Sequence, residues 1–239
     1  GIQGLSGGGT RGSNGQPFPY FFGYKTDGIF QNMDEVRAYV NKDGAMIMPN
    51  AVPGDTRFVD VNGDGSISAD DRTNIGNDTP RYNFGFGFNA DWNGIDFSMF
   101  LQGTMKRDLW LEGPVAFGLG GGQWGSNVWK NTLDCWREDG SNPDPWLPRL
   151  YLWSTSKNLQ KQTRYMDTGA YCRLKNIQLG YSLPGAIINK VGLEKVRIYF
   201  SGDNLLTFSG INENFDPEAP WGGAYPISKS ISFGVNVTF

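Results

Sequence analysis

The chain has 239 residues, 34 of them Gly, with aromatic residues at 14%, hydrophobic residues at only 38% and a net charge of −3. That charge gives no electrostatic footprint for nucleic acid, and the lack of any histidine excludes Ser-His-Asp and Cys-His catalysis and every His-based metal site. No apolar run reaches the roughly 20 residues of a helical membrane span, while a mean hydropathy of −0.42 is compatible with a barrel, where only every second strand residue meets lipid.

The chain opens Gly1-Ile2-Gln3, with neither an initiating Met nor a signal peptide, and reads as a mature product or an internal fragment. Residues 1–16 are Gly/Ser-rich and read as loop. Pro17 to Lys25 is aromatic-rich and fits a strand. Asp34 to Asn41 has helical spacing at Val36 and Val40 behind a capping Asn32 or Asp34, so a short helix is expected. An acidic, Gly-punctuated loop follows from Asp55 to Asp71.

The pattern then changes to period two. In the segment 81–92, Tyr82, Phe84, Phe86, Phe88, Ala90 and Trp92 fall on one face, opposite Asn83, Gly85, Gly87, Asn89 and Asp91. Asn93-Gly94 is a strong hairpin signal. The next strand, 95–106, puts Ile95, Phe97, Met99 and Leu101 opposite Asp96, Ser98, Gln102 and Thr104. A long loop rich in Trp, Gly and Pro covers 107–165. A third strand, 171–183, aligns Ile177, Leu179, Tyr181 and Leu183. The connection 184–194 has some helical character. A fourth strand, 195–208, aligns Val196, Ile198 and Phe200. After a polar loop at 209–229, the fifth strand, 230–239, aligns Ile231, Phe233, Val235, Val237 and Phe239.

Such alternation fits a soluble antiparallel sheet. The strand length of about ten residues and the alternation of short and long connections instead fit a transmembrane barrel. The expected fold is therefore all-β: the C-terminal strands (80–239) of a large antiparallel barrel, preceded by a loop region (1–79). If the C-terminus is periplasmic, Asn93-Gly94 and 184–194 are periplasmic too, and every long segment lies outside. Five or six strands cannot close, and an open edge in lipid leaves backbone groups unpaired. The chain is expected to complete its barrel with strands it does not contain.

Several stretches, in order, carry a specific likeness: Tyr24-Lys25-Thr26-Asp27-Gly28-Ile29-Phe30-Gln31, Pro53-Gly54-Asp55, residues 60–72, Ile75-Gly76-Asn77-Asp78-Thr79-Pro80 and Leu101-Gln102-Gly103. They continue with 173–181, 201–208, Asp216-Pro217-Glu218 and the terminal Phe239. On these the chain resembles the C-terminal portion of SusC/RagA-type TonB-dependent transporters of Bacteroidetes outer membranes. The resemblance implies a barrel of about 22 strands with a plug, energised by TonB through an N-terminal part missing here. It also implies a SusD-like surface lipoprotein as partner and oligosaccharide or peptide cargo, with no enzymatic activity and no nucleic-acid partner.

Three sets of residues are candidates for a site. Asp60, Asn62, Asp64, Ser66, Ser68 and Asp71 occupy positions 1, 3, 5, 7, 9 and 12 of a calcium-type loop, with Gly65 at the sharp turn. The alternative is an Asx-rich turn without metal. Calcium there would be structural. Trp110, Trp124, Trp129, Trp136, Trp146, Trp153 and Trp221 offer indole faces to cargo or partner, or pack the loops together, whereas Trp92 and Tyr181 read as interfacial girdle. Cys135 and Cys172 share the outer side by parity, where a disulfide is permitted. Gly85-Phe86-Gly87 and Gly120-Gly121-Gly122 lack the context of phosphate loops. A secreted calcium-stabilised glycan-binding module is the alternative function, but a dockerin-like module needs two such loops and only one is present.

Overall fold

In a computed structural model the structure describes residues 10–11, 18–118, 130–142, 144–151, 155–188, 192–220, 225 and 227–239. The N-terminal region holds β1 (Thr10–Arg11), β2 (Tyr20–Gly23), β3 (Thr26–Ile29), α1 (Met33–Ala38), β4 (Thr56–Phe58) and β5 (Thr73–Gly76). Next come β6 (Tyr82–Trp92), β7 (Ile95–Met105), β8 (Asp108–Trp110), α2 (Pro114–Phe117), α3 (Thr155–Asn158), β9 (Met166–Thr168), β10 (Tyr171–Ser182), α4 (Gly185–Ile188), β11 (Lys195–Ser209) and β12 (Ser230–Thr238).

The five alternating segments form one antiparallel sheet in the order β12-β11-β10-β7-β6. Its register explains the alternation. One row across the sheet reads Ala90, Phe97, Leu179, Phe200 and Phe233, and the next on that side reads Trp92, Ile95, Tyr181, Ile198 and Val235. The row between them on the opposite side is Asp91, Asp96, Gly180, Tyr199 and Gly234. One face is thus apolar and the other polar, as period-two side-chain placement requires. Among the described residues nothing covers the apolar face: Phe233 is 80% exposed and Trp92 74% exposed. A patch this large and continuous is not left to water by soluble domains.

The tight end of the first hairpin is built by Asn93 (φ 48) and Gly94 (φ 84), the two left-handed residues a two-residue turn needs. The Gly94 carbonyl oxygen accepts from Ser182 N–H of β10 at 2.7 Å. At the other end, β6, β7, β10, β11 and β12 all lead into the long segments. The described parts of these segments hold further small sheets. β1, β2 and β5 form a three-stranded sheet, β3 pairs with β4, and β8 with β9.

The predicted helix is α1, shorter than the 34–41 expected. Asn32 caps it, accepting from Glu35 N–H at 2.9 Å. Val36 is buried as its spacing required, but Val40 lies outside the helix in a bridge with Met46. The strand expected within 17–25 is β2, and α4 provides the helical turn expected in 184–194.

One departure from simple alternation matters. In β10, Leu174 pairs with Leu101 and Asn176 with Phe100, so Lys175 is an extra residue, a β-bulge. After the bulge odd-numbered residues of β10 face the apolar side; before it, even-numbered ones do. Arg173 therefore shares the polar face with Gln102 and Thr207, and Cys172 the apolar face with Gly103 and Phe208.

Candidate functional site

The polar face of the sheet and the folded body at its long-loop end carry the chain's buried chemistry. Near the tight-turn end, Arg197 Nε donates to Asp96 Oδ1 at 2.8 Å and spans the intervening strand above Gly180. A Cβ at Gly180 would lie 2.4 Å from Asp96 Oδ1, so glycine is what lets this bond cross. Phe100 and Tyr199 also stand on the polar face, over Gly85 and Gly234. Both placements follow from the alternation, Phe100 lying between Ser98 and Gln102 on one face and Tyr199 opposite Ile198 and Phe200.

At the other end a clamp closes. Arg173 is 2% exposed. Its Nη2 donates to both oxygens of Asp216, at 2.9 and 2.8 Å, its Nε to Thr207 Oγ1 at 2.9 Å, and its Nη1 to Glu218. Tyr171 Oη donates to Glu218 Oε1 and Lys175 Nζ to Glu218 Oε2, each at 2.8 Å. Arg107 donates to the carbonyls of Pro217 and Asp78. The segment after β11 is thereby folded back onto β10. A planar guanidinium forked on two carboxylates is the geometry arginine alone provides.

A second polar node is Asp55, buried beneath the body. It accepts from Tyr151 Oη at 2.7 Å, Val52 N–H at 3.0 Å, and Lys157 Nζ and Asn158 Nδ2 at 3.2 Å. Burial and the bond to this carboxylate push the Tyr151 phenol well above its ordinary range. The preceding Gly54 has φ +91 and lies against Trp136, where any side chain would clash. The Pro53-Gly54-Asp55 turn is thus an anchor joining α3 to β4. Its motif was legible in the sequence; its role was not.

Trp110, Trp136 and Trp146 pack the body. Trp110 lies edge-on to Tyr165, 5.8 Å between centroids, and Trp146 edge-on to the same ring at 6.4 Å. Trp146 and Phe117 also close a core of Leu109, Leu111, Ala116 and Ile211. Trp136 is buried, and Arg149 lies over its ring. These three serve as internal packing, the second of the two roles expected of them. Trp124, Trp129, Trp153 and Trp221 lie outside the described residues, as do Gly120, Gly121 and Gly122. Trp92 stands exposed beside the tight turn, with Tyr181 and Ile95 in its row. Cys135 and Cys172 are both free. The permitted disulfide is not formed: the bulge places Cys172 on the apolar face, while Cys135 sits in the body in backbone pairing with Leu147.

The 60–71 loop is closed by hydrogen bonds from its own backbone to its side chains. Asp60 accepts from the N–H groups of Gly63 and Gly65 at 2.7 and 2.8 Å, and Asp71, fully buried, from those of Val61 and Ser68 at 2.9 and 2.7 Å. Asp64 accepts from the Asn62 amide and from the N–H and hydroxyl of Ser66, which hold its carboxyl below the ordinary range. The donors are all hard oxygens, the kind calcium takes. Among the described residues, however, no three carboxylate or thiol side chains gather as metal ligands. The Asp60 and Asp71 carboxylates accept from the loop's own backbone N–H groups.

No family model matches the chain. It is 30% identical over 242 residues to TonB-dependent receptor P3 of Formosa agariphila, covering 94% of this chain and 22% of the relative. It is 29% identical over 252 residues to TonB-dependent receptor P26 of the same organism, covering 98% and 24%. Among solved structures it matches the RagAB peptide importer in the open-open state with a TM-score of 0.67 at 24% identity, covering 98% of this chain and 24% of that one. The RagAB peptide transporter gives a TM-score of 0.65 at 25% identity, covering 92% and 23%. The chain thus spans about a quarter of the length of the proteins it matches.

Proposed function

We infer, from a chain that belongs to the TonB-dependent receptors of the SusC/RagA type, that it supplies five neighbouring strands of an outer-membrane β-barrel importer, together with part of the importer's folded outer rim. The observation that carries this reading is the sheet itself. Among the described residues its apolar face is uncovered, its polar face bears the ion pairs of the buried Arg173, and its edge strands β6 and β12 have no outer partner. In lipid the apolar face is solvated by hydrocarbon, and the edges are satisfied only by further strands of a longer protein. A secreted module would leave that face in water. A plug inside the barrel, TonB as energy source, a SusD-like lipoprotein over the mouth and oligosaccharide or peptide cargo complete the proposal. The body 18–79 and 107–170 then lies on the cell exterior.

The test uses the full-length protein in a bacterium that makes it. It is expected in the outer-membrane fraction, with heat-modifiable mobility typical of a barrel, and cargo uptake is expected to stop when TonB is deleted. Recovery as a soluble, detergent-independent protein would sink the reading.

We also propose that the 60–71 loop binds one structural Ca²⁺ through Asp60, Asn62, Asp64, Ser66, Ser68 and Asp71. Each backbone N–H occupies one acceptor site of a carboxylate that has about four, so the bonds present leave room for a cation. Calcium at about 100 times its Kd would stabilise the folded loop by about 2.7 kcal/mol. The expected result is a rise in melting temperature of the full-length protein on moving from EGTA to calcium, abolished by Asp60→Asn. A rise of equal size in that variant would assign calcium to another site.

A further inference from the structure

The apolar face of the large sheet ends differently above and below. Its strands put no carboxylate on it: Asp91, Asp96 and Asp203 all stand on the polar face, Asp96 bonded to Arg197 and Asp203 to Asn176. At the tight-turn end the face closes on Trp92 and Tyr181, with no cation over either ring among the described residues. At the long-loop end it closes on Tyr82, 57% exposed, and its partner Met105. There the Lys106 ammonium lies over the Tyr82 ring, Nζ 5.7 Å from the centroid.

Alternation alone would put Lys106 on the polar face, with Thr104. Its backbone is left-handed, φ 51, a conformation that costs any residue with a Cβ. The side chain thereby leaves the alternation and meets a ring on the apolar face, whose negative π surface attracts the ammonium. Among the described residues Lys106 Nζ makes no hydrogen bond and no ion pair. Arg81, exposed at the same rim and likewise without an ion pair there, donates its N–H to Lys106 O at 3.4 Å. Of the carboxylates on the flanking segments, Asp108 lies against Gly76 and accepts from Asn77 N–H at 2.9 Å. Asp78 gives its carbonyl to Arg107.

Height in the bilayer decides what meets these cations. β6 runs 11 residues from Tyr82 to Trp92, about 33 Å at ~3.3 Å per residue. Tilted by about 40°, it covers about 25 Å, the apolar height of an outer-membrane barrel. Trp92 and Tyr82 therefore stand at the two hydrocarbon boundaries, and the Lys106 ammonium stands at headgroup level. A lysine with its stem along apolar surface and its charge at the interface complements an anionic headgroup.

We propose that Lys106, held on Tyr82 and flanked by Arg81, binds the phosphate of a glycolipid in the outer leaflet. The proposal rests on the importer reading, which puts this end of the sheet at the cell exterior.

The experiment uses the full-length receptor purified in a neutral detergent, with retained lipid counted by native mass spectrometry. The probes are phosphorylated lipid A, the same lipid after removal of its phosphates, phosphatidylethanolamine and inorganic phosphate. Phosphorylated lipid A is expected to be retained over the other three. Lys106→Gly, which suits the left-handed backbone, is expected to weaken that retention by about fivefold, the effect of one cation at an anionic lipid surface. Lys106→Arg should keep it, and Lys25→Gln, at an exposed position on the outer body, should leave it unchanged. Equal retention of the dephosphorylated lipid, no change in Lys106→Gly, or inorganic phosphate binding as tightly as lipid A would overturn the assignment. So would a fall in the melting temperature of lipid-free Lys106→Gly with unchanged lipid selectivity, which would give Lys106 to a neighbouring barrel strand. In each of those cases a receptor that still fractionates with the outer membrane and shows heat-modifiable mobility leaves the importer reading standing. Failure of the wild type to do either would instead remove that reading.

Discussion

Replacing Ile177 with Arg is expected to destabilise the assembled barrel by about 2–4 kcal/mol, while Gln178→Arg, one residue along the same strand, costs less than about 1 kcal/mol. The two side chains leave β10 on opposite faces. Ile177 stands in the row of Phe88, Met99, Gly202 and Ile231, the middle apolar row of the sheet. Gln178 stands among Asn89, Ser98, Ser201 and Ser232. In lipid the first site must hold a guanidinium near the bilayer midplane, the second in a polar lumen. In a soluble sheet whose apolar face is a core, Ile177→Arg would also be costly, so the discriminating measurement is made in two solvents. Equilibrium urea unfolding of the full-length protein in phospholipid vesicles gives the difference, and protein without lipid should not fold at all. Equal costs for the two variants would refute the face assignment.

How far the sequence showed this is clearest in the strands. The segments 81–92, 95–106, 171–183, 195–208 and 230–239 coincide with β6, β7, β10, β11 and β12 to within a residue or two, because period-two burial on a lipid-facing sheet is imposed locally. The Asn93-Gly94 turn was equally plain, since only such residues tolerate its backbone. The phase of β10 was not. A single extra residue, Lys175, reverses it, and nothing local marks Lys175 as extra. That reversal puts Cys172 on the apolar face, opposite Gly103. It also hid the clamp: Arg173 and Asp216-Pro217-Glu218 were visible as separate motifs, but their meeting is a long-range event between β10 and the segment after β11. The tryptophans show the same limit. Their side chains could have faced cargo or one another, and only packing around Tyr165 and Leu147 decides for Trp110, Trp136 and Trp146.

The Arg173 clamp sets the largest expected effect outside the lipid face. With Arg173→Ala, Asp216 loses both of its charged hydrogen bonds and Glu218 one of its three partners, in a site where these carboxylates are 13% and 18% exposed. Truncating one member of a buried ion pair typically costs about 3–5 kcal/mol, since the surviving charge stays desolvated. Lys175 and Tyr171 continue to hold Glu218, so the damage concentrates on Asp216, and a value near the lower end is expected. Asp216→Asn should therefore rescue part of the loss in the double variant, with a coupling of about 1–3 kcal/mol. Arg173→Lys keeps the charge but not the fork, and should fall between wild type and Arg173→Ala. The readout is twofold: thermal unfolding of the barrel, and the rate at which protease cuts within 210–220. A clamp that only pins this segment to β10 would raise the cutting rate with little change in unfolding temperature, whereas one that also secures the bulge would move both. We expect both to move, because Arg173 is tied across to Thr207 on β11 as well as to the returning segment. Zero coupling between Arg173 and Asp216 would show that the forked contact carries no stability.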